Sequence, residues 1–228
     1  MSQEKYETLQ GAILDGDDVQ SAKIADELLQ DPSTLQGAVD VAIEAIRQVG
    51  NRFGEGEIFL PEMMLAADAM QAFMKKVGPA LEEAGGQARA SGKVVLGTVK
   101  GDIHTIGKDI AATMLSASGF EVRDMGVDVA PMEMIEAAEQ SGAQIIGLSA
   151  LMTTSMPYQK EVVALLNELG QRDDFYVIVG GGPVTAEYAE GIGANGWAKS
   201  AAGAVTLCEK LLSSDGTPAT TAFVGEEK

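Results

Sequence analysis

The chain of 228 residues holds one histidine, His104, and one cysteine, Cys208. His104 lies two residues after a carboxylate in the segment Lys100-Gly101-Asp102-Ile103-His104-Thr105-Ile106-Gly107. A carboxylate beside an imidazole can hold the proton of one ring nitrogen, fix the tautomer and enrich the other nitrogen as a metal ligand. A lone histidine is otherwise a polar surface or capping residue. One histidine and one cysteine cannot build a His/Cys zinc site without several carboxylates. A single protein ligand suits a metal that a macrocycle already holds. Two further segments carry unusual chemistry: Leu151-Met152-Thr153-Thr154-Ser155 and Gly180-Gly181-Gly182-Pro183. The triple glycine either lets a ligand approach the backbone closely or is simply a tight strand-to-helix turn.

The elements around these segments are legible from periodicity. Up to about residue 85 the chain reads as helices. Residues 4–15 and 18–30 are amphipathic segments separated at Asp15-Gly16-Asp17. After Pro32-Ser33, Leu35, Val39, Ala42, Ile46, Val49 and Phe53 recur on one helical face. Gly54-Glu55-Gly56 ends that helix, and Pro61 sits near the first turn of the next, where proline is tolerated. Phe59, Met63, Ala66, Met70, Phe73 and Val77 repeat the spacing, so four helices form a small bundle. The segment from Gly85-Gly86 to Gly92 reads as a linker. Beyond it the period changes. Strands are predicted at 94–99, 120–125, 145–151, 175–179 and 196–198, with helices at 108–118, 131–141, 156–169, 184–190 and 201–213. Such alternation argues for a parallel sheet covered on both faces.

The expected organisation is a helical bundle over residues 1–88, a flavodoxin-like (Rossmann-like) α/β domain with a five-stranded parallel sheet over 89–213, and a flexible tail over 214–228. In such a sheet, ligands bind outside the carboxyl ends of strands, where the strand order switches. The three unusual loops follow the first, third and fourth strands and emerge on that edge. With flavodoxin-like order the first and third strands are neighbours, which brings His104 near Ser149–Ser155.

Composition narrows the function classes. Hydrophobic residues make up 46% and charged residues 22%, as in soluble globular proteins, and the formal net charge is −18. So acidic a surface disfavours nucleic acid and anionic membranes as partners and could steer docking onto a basic protein face. The N-terminal MSQEKYETLQ is unlike a signal peptide, and no apolar run is long enough to span a bilayer, so a cytoplasmic protein is expected.

Asp102-Ile103-His104-Thr105-Ile106-Gly107, Ser149-Ala150-Leu151 and Gly180-Gly181 resemble, in order, the D-x-H-x-x-G, S-x-L and G-G signature of base-off/His-on cobalamin-binding domains. The segment Phe53-Gly54-Glu55-Gly56-Glu57-Ile58-Phe59-Leu60-Pro61-Glu62 is similar to the helical cap of cobalamin-dependent methionine synthase and of small corrinoid proteins of methyltransferase systems. The resemblance covers roughly residues 1–213. It implies a cobalamin or related corrinoid, cycling between cob(I)alamin and methylcob(III)alamin, with His104 as the lower axial ligand to cobalt. Asp102 would hydrogen-bond the other imidazole nitrogen, and Ser155 would extend that relay, exchanging protons as the axial bond forms and breaks. Ser149, Leu151 and Thr153 would line the channel for the displaced nucleotide tail, which Gly180, Gly181 and neighbouring Gly182 let pass. Thr105, Ile106 and Gly107 would lie beside the corrin. Thr105 stands where many relatives carry aspartate. Phe59, Met63, Met64 and Met70 are candidates for the cover of the methyl face, or plain bundle core.

The same resemblance implies a non-catalytic methyl carrier, the corrinoid subunit of a multi-component methyltransferase. A substrate-specific barrel methyltransferase would methylate it, a second methyltransferase with a thiol or tetrahydrofolate acceptor would demethylate it, and a reductive activation protein would service it. The chain has neither a ~250-residue barrel nor a zinc-thiolate site, so activation belongs to partners. Methylamines or quaternary amines are the expected donors, with methanol or methoxylated aromatics as alternatives. A cobalamin subunit of an adenosylcobalamin mutase shares the motifs but has no need of the helical cap. A cobalamin-sensing regulator would need a basic DNA-binding module, which the charge opposes.

Overall fold

Valine, isoleucine and leucine at alternate positions give the central strands two apolar faces, and both faces are covered. In the computed structural model, which describes residues 2–83, 92–214 and 216–225, the strands are β1 (Gly92–Thr98), β2 (Phe120–Asp124), β3 (Ile145–Ser149), β4 (Tyr176–Gly180), β5 (Gly196–Ala198) and β6 (Val224–Gly225). They form one parallel sheet in the order β2-β1-β3-β4-β5-β6. The helices between them are α5 (Ile106–Ala117), α6 (Pro131–Ser141), α7 (Met156–Glu168), α8 (Ala186–Gly191) and α9 (Ala201–Leu212).

The period-2 alternation sorts side chains between two cores. Val95, Ile146, Leu148, Val177 and Val179 pack with Met134, Ile135, Val162 and Leu166 of α6 and α7. Val94, Leu96, Ile145, Tyr176 and Ile178 pack with Leu115 of α5 and Leu207, Cys208 and Leu211 of α9. Each such buried aliphatic chain contributes about 1.5–3 kcal/mol relative to exposure. The strand order is the flavodoxin-like one expected, with β1 and β3 adjacent at the reversal of direction.

The structure corrects the five-strand expectation: a sixth strand, β6, pairs with β5 through Gly196–Val224 and Trp197–Gly225. Much of the segment read as a flexible tail is therefore tied to the sheet edge. Asn195 Nδ2 donates to Pro218 O at 2.6 Å, Tyr176 Oη to Gly216 O at 2.9 Å and Thr217 Oγ1 to Asp173 Oδ1 at 2.6 Å. Two paired residues after a Gly-Thr-Pro segment have too short a pattern to register as a strand.

The N-terminal helices are α1 (Ser2–Leu14), α2 (Asp18–Leu28), α3 (Leu35–Gly54) and α4 (Leu60–Glu83), with a single 3-10 turn at Pro32–Thr34. Asp17 accepts a hydrogen bond from Gln20 N at 2.8 Å and so caps α2, after Gly16 turns the chain with φ +71°. Leu9, Ile13, Leu28, Leu35, Met63 and Phe73 are among the fully buried side chains. The described residues divide into two compact units, the N-terminal helices with residues 116–119 and the sheet with its remaining helices. The 88/89 boundary and the linker expected from residue 85 to 92 fall on residues 84–91, outside those described, except for Gly92, which is the first residue of β1. No helix among the described residues is long and apolar enough to cross a membrane.

Candidate functional site

Thr98, Ser149 and Gly180 are register partners at the carboxyl ends of β1, β3 and β4, so the three unusual loops leave the sheet side by side. The β1 loop delivers Asp102 and His104. Asp102 is fully buried, and its carboxylate is filled by donors. His104 Nδ1 lies 2.7 Å from Oδ1, which also accepts from His104 N at 3.1 Å. Oδ2 accepts from Leu151 N at 2.7 Å, Met152 N at 3.1 Å and Ser155 Oγ at 2.6 Å. Burial alone would raise the Asp102 pKa. The bonds from Ser155, the His104 ring and the Leu151 and His104 amides outweigh it and hold the group far below the ordinary carboxylate range.

Asp102 is thus a fixed anion. With Nδ1 directed at it, the nitrogen of His104 left to bind elsewhere is Nε2, on a side chain 48% exposed. The same bonds explain why β3 stops at Ser149 rather than at Leu151: the next amides but one donate to Asp102 instead of continuing a ladder.

The structure brings His104, Asp102 and Ser155 together as the sequence expects, with Leu151 beside them. Ile103, Ile106 and Leu151 are 74%, 76% and 47% exposed, an apolar rim around the imidazole that water covers poorly and a flat apolar ligand would cover well. Thr105 immediately precedes α5, a position at which threonine and aspartate are both favoured. Thr153 is exposed in the turn before α7. A Cβ added at Gly107 would meet nothing within 4 Å, so nothing within the protein demands glycine there. The glycine run behaves differently. Gly181 has φ +118°, and a Cβ there would meet Ala150 O at 1.9 Å. That glycine is required by the chain's own close turn. A Cβ at Gly180 would lie 3.0 Å from Ala198 O, and one at Gly182 would lie 3.0 Å from Leu151 Cδ1.

Sequence reasoning missed three contributors. Gln159, buried on α7, donates to Leu148 O at 2.9 Å and Gly180 O at 3.1 Å, joining the ends of β3 and β4, and its Oε1 has no protein partner among the described residues. Lys108 on α5 is buried between Asp109, at 2.6 Å, and Asp124. Burial would lower its pKa, and the two carboxylates raise it instead, so it remains a cation. Asp128 lies against Gly101 and Lys100. A lysine in an apolar helix was a visible signal; its partner 16 residues on was not. Of the candidate cover residues, Met63 and Met70 are bundle core, whereas Phe59 is 73% and Met64 49% exposed.

The residues fit a corrinoid. They offer one imidazole nitrogen, and among the described residues no cluster of three or more His, Cys, Asp or Glu could hold a bare ion. They also offer an apolar rim, an open position at Gly107 and an unfilled acceptor on Gln159. Comparison with known proteins points the same way. A B12 binding domain family matches residues 92–206, and a second family of that description matches residues 6–77. A corrinoid protein of Desulfitobacterium hafniense is 42% identical over 209 residues, covering 90% of this chain and 95% of the relative. The chain belongs to the B12-binding corrinoid proteins. Dimethylamine corrinoid protein 3 of Methanosarcina mazei is 47% identical over 167 residues, 73% of this chain and 99% of the relative. Among solved structures, the methanol:cobalamin methyltransferase complex of Methanosarcina barkeri superposes with a TM-score of 0.80 at 28% identity, covering 95% of this chain and 82% of the matched one.

Proposed function

We propose that this corrinoid protein is a methyl carrier in which His104 Nε2 is the protein's ligand to cobalt. One observation carries the reading: a buried Asp102, fixed by Leu151, Met152 and Ser155, holds Nδ1 of the only histidine at 2.7 Å. A bound corrinoid would supply a cobalt centre that accepts a methyl group in its reduced form and releases it to an acceptor. The chain's residues do the rest. Asp102 keeps the proton on Nδ1 and the lone pair on Nε2. Ser155 holds Asp102 in place. Ile103, Ile106 and Leu151 would offer exposed apolar surface for the corrinoid to cover.

The donor we propose is a methylated amine, delivered by a methyltransferase partner; a second methyltransferase removes the group, and a reductive activation protein services the carrier. Relatives named for dimethylamine support the amine, and the methanol complex supports a carrier that docks a methyltransferase. The family match to residues 6–77 and the length covered by corrinoid-protein relatives favour the carrier over a mutase subunit.

The test is reconstitution with cobalamin in the cob(II) state and electron paramagnetic resonance of the axial nitrogen. With the protein's histidine labelled with nitrogen-15, the wild type should show coupling to one nitrogen-15 nucleus, and His104→Ala only the coupling of the cofactor's own benzimidazole, with circular dichroism unchanged. A loaded wild-type protein with no nitrogen-15 coupling would sink the ligand assignment. Transfer of a methyl group from dimethylamine in the presence of a partner methyltransferase tests the donor.

A further inference from the structure

The loop that carries Asp102 and His104 is also held from outside, by groups that the histidine–carboxylate pair does not include. At its far end Thr98 Oγ1, fully buried at the tip of β1, donates to His104 O at 2.9 Å. At its near end the segment after β2 supplies Asp128. Its backbone N–H donates to Asp102 O at 3.0 Å, its Oδ1 accepts from Gly101 N at 2.7 Å, and Lys100 Nζ lies 3.5 Å from the same oxygen. The neighbouring Val99 and Val129 form an isolated parallel bridge. Asp128 is the one non-glycine residue with positive φ, +55°, among those described. That conformation is strained for a residue with a side chain and persists where the surroundings over-determine it. Here the turn brings both the amide and the carboxylate of one residue onto the loop before His104.

Resting on the reading of His104 as axial ligand, we propose that Asp128 is a positioning residue for that histidine, fixing Gly101 and Asp102 while Thr98 fixes the His104 carbonyl. The Gly101 amide, helped by Lys100, holds the Asp128 carboxyl below its ordinary pKa, as expected for an acceptor in use. Loss of this anchor frees the turn from Val99 to Asp102, and the direction of Nε2 is then less well defined.

The test uses the full chain without cofactor, where the single histidine makes ring-nitrogen magnetic resonance unambiguous. Asp128→Gly suits the positive φ and removes the acceptor; Asp128→Asn tolerates the same backbone and keeps an oxygen. At alkaline pH, where the imidazole is neutral, the ratio of Nδ1–H to Nε2–H tautomer should fall about threefold to tenfold in Asp128→Gly, the equivalent of one hydrogen bond, and recover in Asp128→Asn. Thr98→Val, nearly isosteric, should lower the ratio in the same direction and carries the test if Asp128→Gly does not fold. A wild-type ratio in the folded Asp128→Gly protein overturns the proposal, as do equal losses in the Gly and Asn variants. The two readings fail separately: absence of nitrogen-15 coupling from the labelled histidine in the loaded wild-type protein removes the ligand assignment, whereas the tautomer ratio judges Asp128 alone.

Discussion

At the scale of single residues, the site rests on where one carboxylate places its charge. Asp102 takes five hydrogen bonds and serves as an acceptor throughout, so its removal is predicted to disturb ligation without abolishing it. Asp102→Asn should weaken axial ligation ~10–100-fold, the usual cost of altering a ligand's hydrogen-bond partner, measured by the fraction of loaded protein with a coordinated imidazole. The pH consequence follows from the sign of its shift. The ordinary aspartate value is 3.8 and the folded value lies lower, so the stabilisation it brings is fully present above the ordinary value. It is lost as pH falls towards the folded value. Chemical denaturation of wild type and Asp102→Asn should therefore differ most at neutral pH and converge in strong acid. The family resemblance supplied Ser155, and motif spacing made His104 and Asp102 legible. The amides of Leu151 and Met152, and Asp128, were not, because a backbone donor leaves no mark on residue type and Asp128 lies 27 residues from Gly101.

At the scale of elements, two glycines with the same apparent role separate. Gly107 opens α5 with free space at its Cβ, so Gly107→Ala is predicted to leave the unloaded protein unchanged or stabilise it by up to about 1 kcal/mol while weakening corrinoid binding. Gly181→Ala should destabilise the unloaded protein itself, because its Cβ would strike Ala150 O and its φ is +118°. Thermal unfolding without cofactor distinguishes them. Cys208 gives a third check on α9: it is fully buried, and burial, with Glu209 beside it, raises its thiol pKa. Thiol reagents should label it only after denaturation. Most strands and helices were readable from periodicity, and their ends less so. Helix α8 starts at Ala186 because Thr185 Oγ1 accepts from Tyr188 N at 3.2 Å, a cap that the Gly-Pro run obscured.

At the scale of the whole molecule, a net charge of −18 on 228 residues sets how partners are met. Association with a methyltransferase that presents a basic face should slow as salt rises, since steering is screened beyond about 8–10 Å at physiological ionic strength. Stopped-flow association rates across a salt series measure it; a rate independent of salt would place recognition in apolar contacts instead. The sequence by itself determined the α/β class, the helical N-terminal region, the identity of the one histidine and the motif order, because periodicity and residue type are local properties. Only the tertiary structure decided that Asp102 is saturated with donors from the β3 loop, that Gly181 serves the chain's own turn, that Asp128 braces the histidine loop and that residues near the C-terminus close the sheet as β6. Those facts depend on distances between segments far apart in the chain, and composition and spacing carry no distance.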